Sequence, residues 1–133
     1  MSLNRALLAF ALPMTVGLWA AAPVLAAKGE LIDIAWSLDG SFGRDVRVAP
    51  SKFVEVCGLL PAGTAVAWRF ESGARLDFNV HFHLGKDVRY PTRQAKVARS
   101  TGTLDAPVDQ DYCWMWTNPT AAEATLNFML QKR

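Results

Sequence analysis

The sequence lacks any extended segment with the 3.6-residue apolar period of an amphipathic helix once its N-terminal stretch is set aside, so a helical bundle is excluded. It also has no Gly-x-Ser-x-Gly elbow, no glycine-rich phosphate loop and no His-Glu-x-x-His sequence, which leaves the common hydrolase, phosphoryl-transfer and zinc-protease chemistries without carriers. Charge of one sign is missing as well. Lys plus Arg number 14 against 12 Asp plus Glu, a net +2, and a near-neutral domain has no electrostatic footprint for nucleic acid. No internal repeat, low-complexity tract or second domain is visible. Histidine and cysteine are scarce, with two of each in 133 residues.

Charge is absent in one place for a specific reason. Arg5 is followed by "ALLAFALPMTVGLWAAAPVLAA", uncharged from Ala6 to Ala27, with the small residues Val24 and Ala26 at the two positions a signal peptidase reads. This predicts a signal peptide over 1–26 and a single domain over 27–133, in a periplasmic or secreted protein. The alternative is a retained anchor, because a bilayer is spanned by about 20 apolar residues. Both cysteines, Cys57 and Cys113, lie in the exported part, and an even pair in that context reads as one disulfide. Such bracing suits a core of this size. It also removes the free thiolate that cysteine catalysis would need beside a histidine.

What the exported part does contain is short alternating runs: "ELIDIAWSL", "RDVRVAPSKFVEVCGLL", "TAVAWRFES", "RLDFNVHFHL", "KDVRYP", "AKVARSTGTL", "YCWMWTN" and "ATLNFMLQ". Turn residues separate them in "DGSFG", "PAGT", "SGA", "GKD" and "NPTAAE". Seven or eight strands at this spacing predict an all-β domain, an antiparallel sandwich or jelly roll. Only "TAAEAT" offers a helical turn. Alternation places Leu76, Phe78, Val80, Phe82 and Leu84 on a core face and Asp77, Asn79, His81 and His83 on the other. By the same rule Val66, Trp68 and Phe70, and Tyr112, Trp114 and Trp116, are core residues. Tyr90-Pro91 is expected to end an edge strand, since proline cannot donate to a ladder.

Taken together, "VEVCGLLPAGTAVAWRFES", "RLDFNVHF" and "YCWMWTNPTAAEATLNFML" resemble the GOLD (Golgi dynamics) domain. The matching features are the Pro61 to Gly63 turn, the aromatic pair Trp68 and Phe70, the "LDFNV" strand, Tyr112 six residues before Asn118, and an alternating last strand. The resemblance implies a compact β-sandwich that binds or assembles, with no catalytic residues to carry over. The family's disulfide cysteines would fall at Glu55 and Met115. In an antiparallel ladder paired positions keep a constant sum, and Cys57 with Cys113 has the same sum as Glu55 with Met115, so the bridge stands on the same ladder two residues along.

His81 and His83 are the one constellation with metal chemistry in it. Residues two apart on a strand project from one side, about 6.5–7 Å apart. Two imidazoles suit copper or zinc but need further ligands, with Met115, Glu55, Asp77 and Asn79 as candidates; a thioether favours copper. The bland alternative is a pair of exposed histidines on a solvated face. Asp77, Asn79, Arg89 and Tyr90 are candidate ligand-binding residues, although strand faces turned to water are ordinarily polar. Lys86, Arg89, Arg93, Lys96 and Arg99 form a local basic excess, read as solvated strand edges or as a contact for an anionic partner or lipid headgroup.

The sequence thus predicts a non-enzymatic, exported binding or accessory module with recognition around His81 and His83. Copper or zinc is the candidate metal, and an unidentified protein, lipid or metal is the ligand. The competing reading is an assembly subunit that docks an envelope protein or touches a membrane without spanning it.

Overall fold

The computed structural model describes residues 29–133; the expected signal peptide over 1–26 lies outside the described residues. These residues form seven strands, with no helix among them: β1 Glu30–Asp33, β2 Ser41–Val48, β3 Phe53–Leu60, β4 Ala65–Leu84, β5 Asp87–Asp105, β6 Gln110–Thr117 and β7 Ala124–Lys132. Their pairing path is β1-β3-β6-β4-β7-β2, with β5 along the free edge of β4.

Two runs expected as separate pairs are continuous. "TAVAWRFES" and "RLDFNVHFHL" are one strand of 20 residues, and β5 runs 19 residues beside it. The "SGA" segment between them is a bend rather than a turn. Its pairing with β5 is interrupted between Glu71 and Leu76, the sharpest of three irregularities in that ladder. On the other edge of β4, Val66 to Ser72 pair with β7, whereas Asp77 to Phe82 pair with β6. The long hairpin therefore carries the sheet around a corner, and its two halves close over one core.

Parity holds through the corner, because Val66, Trp68, Phe70, Leu76, Phe78, Val80 and Phe82 are all buried. It lapses at Leu84, which alternation also assigns to this face and which is exposed where β4 runs past β6 into the hairpin end. Facing them are Tyr112, Trp114 and Trp116 from β6 and Leu126, Phe128 and Leu130 from β7. Trp116 stacks on Phe128 at 5.1 Å between centroids and on Phe78 at 5.3 Å, which ties the halves together. Each such side chain contributes roughly 1.5–3 kcal/mol when fully buried, so the tryptophans are structural, as the alternation predicts. Tyr112 and Asn118 hold the loops at the ends of β6. The Tyr112 hydroxyl donates to the Val108 carbonyl at 2.8 Å. The wholly buried Asn118 amide donates to the carbonyls of Val48 and Ala122 at 2.9 and 2.8 Å and accepts the Thr120 N–H at 2.9 Å.

Two expectations need correction. The sheet is mixed rather than wholly antiparallel, because β1 pairs with β3 in parallel. Between them the chain crosses to β2 at the far end of the path, and a crossover of that kind permits a parallel neighbour. Tyr90-Pro91 does not end a strand either. β5 is an edge strand, yet it continues through Pro91: Val80 pairs with Thr92 and Phe82 with Arg89, so Tyr90 and Pro91 together oppose His81 in a bulge. A bulge on an edge accommodates proline without breaking a ladder bond.

Candidate functional site

The polar stripe of β4 lies on the outer face of the half built from β1, β3, β6, β4 and β5. Pairing lays its residues out in rows. One runs Asp33, Cys57, Cys113, His81; the next runs Leu31, Glu55, Met115, Asn79, Arg93. Glu55 stands opposite Met115 and Cys57 opposite Cys113, which is the ladder the sequence indicated, and Cys57 and Cys113 are disulfide-bonded.

His81 and His83 share this face, with ring centroids 5.6 Å apart in an edge-on arrangement. Their environments differ. His83 is exposed, whereas His81 is only 6% exposed, so the picture of two solvated histidines fails at His81. Three neighbours account for that burial. The His81 Nε2 lies 3.0 Å from a carboxylate oxygen of Glu55, reaching over β6 from β3. Its Nδ1 lies 2.8 Å from Asn79 Oδ1. From the other side the bulge turns Tyr90 over the face, its ring 5.8 Å from the imidazole and capped in turn by the Arg93 guanidinium at 3.8 Å. Burial holds the His81 pKa below its ordinary value; the Glu55 carboxylate opposes this and His83 reinforces it. The neutral ring donates Nε2–H to Glu55 and turns its Nδ1 to the Asn79 amide, whose oxygen and nitrogen can exchange places by a flip.

The remaining predicted site residues are distributed unevenly. Met115 sits between Glu55 and Asn79 in the central row. Asp77 is engaged structurally: its carboxylate accepts the backbone N–H of Lys96 at 2.9 Å, securing a second bulge in which Lys96 takes φ 53°. Arg89 is not brought to the histidines. It pairs with Asp87 at 3.2 Å on the exposed hairpin. The ligand atoms that do converge are those of Glu55, His81 and Cys113, all within 4.8 Å of one another. In the sequence Cys113 is accounted for by the disulfide and Met115 is the candidate ligand from that strand; nothing there gives the β6 to β4 register that sets Cys113 opposite His81 and Met115 opposite Asn79. The ladder sum gave the β3 pairing alone.

Around this half-buried centre the face carries exposed apolar side chains: Leu31 (72% exposed), Leu59 (68%), Tyr90 (44%) and Val88 (38%). A groove of about 600 Å³ lies elsewhere, on the outer face of the other half near Asp45 and Glu71. Its polar groups largely satisfy one another, as in the 2.7 Å bond from Asn127 Nδ2 to Asp45.

The fold and face define a β-sandwich module whose outer face carries a half-buried polar centre ringed by exposed apolar side chains. No protein-family model matches the chain, and no curated sequence does. Solved structures do. Aeromonas hydrophila PliG, a periplasmic lysozyme inhibitor of g-type lysozyme, superposes with TM-score 0.61 at 12% identity, over 80% of this chain and 98% of that one. Salmonella Typhimurium PliG, with the same description, gives 0.55 at 12% identity, over 80% and 100%. The pre-peptidase C-terminal domain of a Bacillus anthracis collagenase gives 0.53 at 10% identity, over 80% and 98%. At such identities the likeness is one of fold.

Proposed function

We propose that this chain is an exported, non-enzymatic module that binds a protein partner through the outer face of the β1, β3, β6, β4 and β5 half, in the periplasm or outside the cell. The observation that carries this is the composition of the face. Exposed Leu31, Leu59, Val88 and Tyr90 surround a half-buried polar centre of Glu55, His81 and Asn79. Exposed aromatic and apolar side chains of this kind are the anchors from which interfaces draw most of their binding energy, and a few well-placed polar groups beside them fix the register. Two solved proteins of this fold are periplasmic inhibitors of g-type lysozyme, which makes a g-type lysozyme the first partner to try. Kinship with GOLD domains, proposed on the Tyr112 and Asn118 spacing and the shared ladder, agrees with a binding role. The leader over 1–26 agrees with export.

The test is muramidase activity of a g-type lysozyme, with direct binding measured in parallel, in the presence of the purified protein. Stoichiometric inhibition that Leu59→Asp and Tyr90→Ala each weaken at least tenfold is the expected result. Full lysozyme activity with no binding removes that partner. Binding that survives both substitutions removes this face.

A further inference from the structure

We propose that reduction of the Cys57–Cys113 disulfide converts the centre of this face into a zinc site held by Cys113, Cys57, His81 and Glu55. This is independent of the protein-binding reading. The oxidised protein already brings three of the four donors together, since the Glu55 carboxylate, the His81 imidazole and the Cys113 sulfur lie within 4.8 Å of one another. The fourth, Cys57, is joined to Cys113 and faces it directly across the ladder. Tetrahedral zinc with Zn–S of about 2.3 Å and Zn–N of about 2.0 Å requires donors about 3.3–3.8 Å apart. Small side-chain rotations reach that spacing once the sulfurs separate. A thiolate, unlike a disulfide sulfur, is a strong zinc ligand.

The orientation of His81 supports the assignment. Nε2 and the Glu55 oxygen approach to 3.0 Å, so only one proton stands between two groups that are both acceptors without it. A cation takes the place of that proton. With Nε2 on the metal, the proton moves to Nδ1, which then donates to Asn79 Oδ1, already at 2.8 Å. A ligating histidine is ordinarily held by an acceptor on its other nitrogen in this way. Burial of His81 and Glu55, whose side chains are 8% and 17% exposed, would shield the ion from water.

The chemistry balances with a dithiol as reductant. Cys57 is the more accessible of the two cysteines, so the dithiol's thiolate attacks the Cys57 sulfur, forming a mixed disulfide and expelling Cys113 as thiolate. The second thiol of the dithiol closes on the first and releases Cys57. The protein disulfide gains two electrons and the dithiol becomes a disulfide. Zinc then displaces the two thiol protons, while the His81 proton stays on the ring and shifts from Nε2 to Nδ1.

The experiment compares oxidised and phosphine-reduced protein, titrated with Zn²⁺ or with Co²⁺ as a spectroscopic substitute, while far-ultraviolet circular dichroism and thermal unfolding are followed. The reduced protein is expected to bind one ion at least 100-fold more tightly than the oxidised form, with sulfur-to-cobalt charge-transfer bands. His81→Gln and Glu55→Gln, each folded when oxidised, should each weaken binding on the order of 10–100-fold. Zinc should also raise the melting temperature of the reduced protein, including when reduction leaves it partly unfolded. No charge-transfer band and no zinc-dependent rise in melting temperature would overturn the proposal. So would bands of full strength in His81→Gln.

Discussion

Replacing both bridge cysteines, Cys57→Ala with Cys113→Ala, tests the energetic frame of the molecule. The bridge spans 56 positions of sequence. In the chain-entropy model, closing a loop of that length stabilises the fold by about 4 kcal/mol at 25 °C. The native cost of the change is small by comparison, because Cys57 and Cys113 face outward from the aromatic core and the ladder between β3 and β6 keeps its eight paired positions from Phe53 to Leu60. For a domain of about 100 residues, 1 kcal/mol corresponds to roughly 4 °C in melting temperature, so the double variant should melt about 15 °C lower than the oxidised protein. In urea the same change should move the midpoint down by roughly 2–4 M and steepen the slope, because the unfolded chain without the bridge exposes more surface. The assay is reversible unfolding followed by tryptophan fluorescence, with the chemically reduced wild type as a second measurement expected to agree with the variant. A drop of less than about 4 °C, with native fluorescence unchanged, would refute the reasoning: the bridge would not then be acting by restraining the unfolded chain.

Histidine 81 should make stability depend on pH. Its folded pKa is depressed below 6.5, mainly by burial, so the unfolded chain binds more protons in that window. Stability is therefore greatest above the unfolded value and falls as pH drops through the folded one. A His81→Gln variant should flatten that slope, and a titration of the His81 ring by nuclear magnetic resonance should show a midpoint below 6.5; a midpoint above it would contradict the burial described here. Asp77→Ala should cost about 1 kcal/mol and accelerate amide exchange at Lys96, whose N–H it holds; unchanged exchange would show that the bulge forms without the carboxylate. Gly102→Ala would place a methyl group 2.2 Å from Cζ2 of Trp68. It should destabilise by about 1–3 kcal/mol through overpacking, measured by thermal melting, and a neutral result would mean the indole has room to shift. Asn118→Ala removes the amide donor from the carbonyl of Val48 and the acceptor of the Thr120 N–H, while the carbonyl of Ala122 keeps only the Thr120 hydroxyl. A loss of about 2–4 kcal/mol is expected in urea unfolding, whereas under 1 kcal/mol would show that water replaces the amide.

Much of the fold is legible because strands of this kind write their faces into the sequence. Alternation in "RLDFNVHFHL" assigns Leu76, Phe78, Val80, Phe82 and Leu84 to the core; the first four are buried, whereas Leu84, at the hairpin end where no strand covers it, is exposed. The cysteine spacing indicates the β3 to β6 register, and that ladder is present. The corner in β4 is less legible, since "SGA" has the composition of a turn; whether it turns or bends depends on β5 running alongside for 19 residues. The parallel β1 is hidden for a similar reason, because four residues at an edge carry no mark of direction.

For the candidate site, the sequence determined by itself which residues share a side: Asp77, Asn79, His81 and His83 project together because the side-chain period of a strand is two. It also fixed the cysteine pair and the aromatic payload of the core. Only the tertiary structure decided that His81 is buried while His83 is not, that Asp77 is committed to a bulge, and that Glu55 and Cys113 meet the imidazole. Those outcomes depend on which strands become neighbours and on where the ladder slips by one residue opposite His81. Periodicity is a property of one strand and local in sequence. Adjacency and register slips arise between strands, from packing that links positions far apart along the chain.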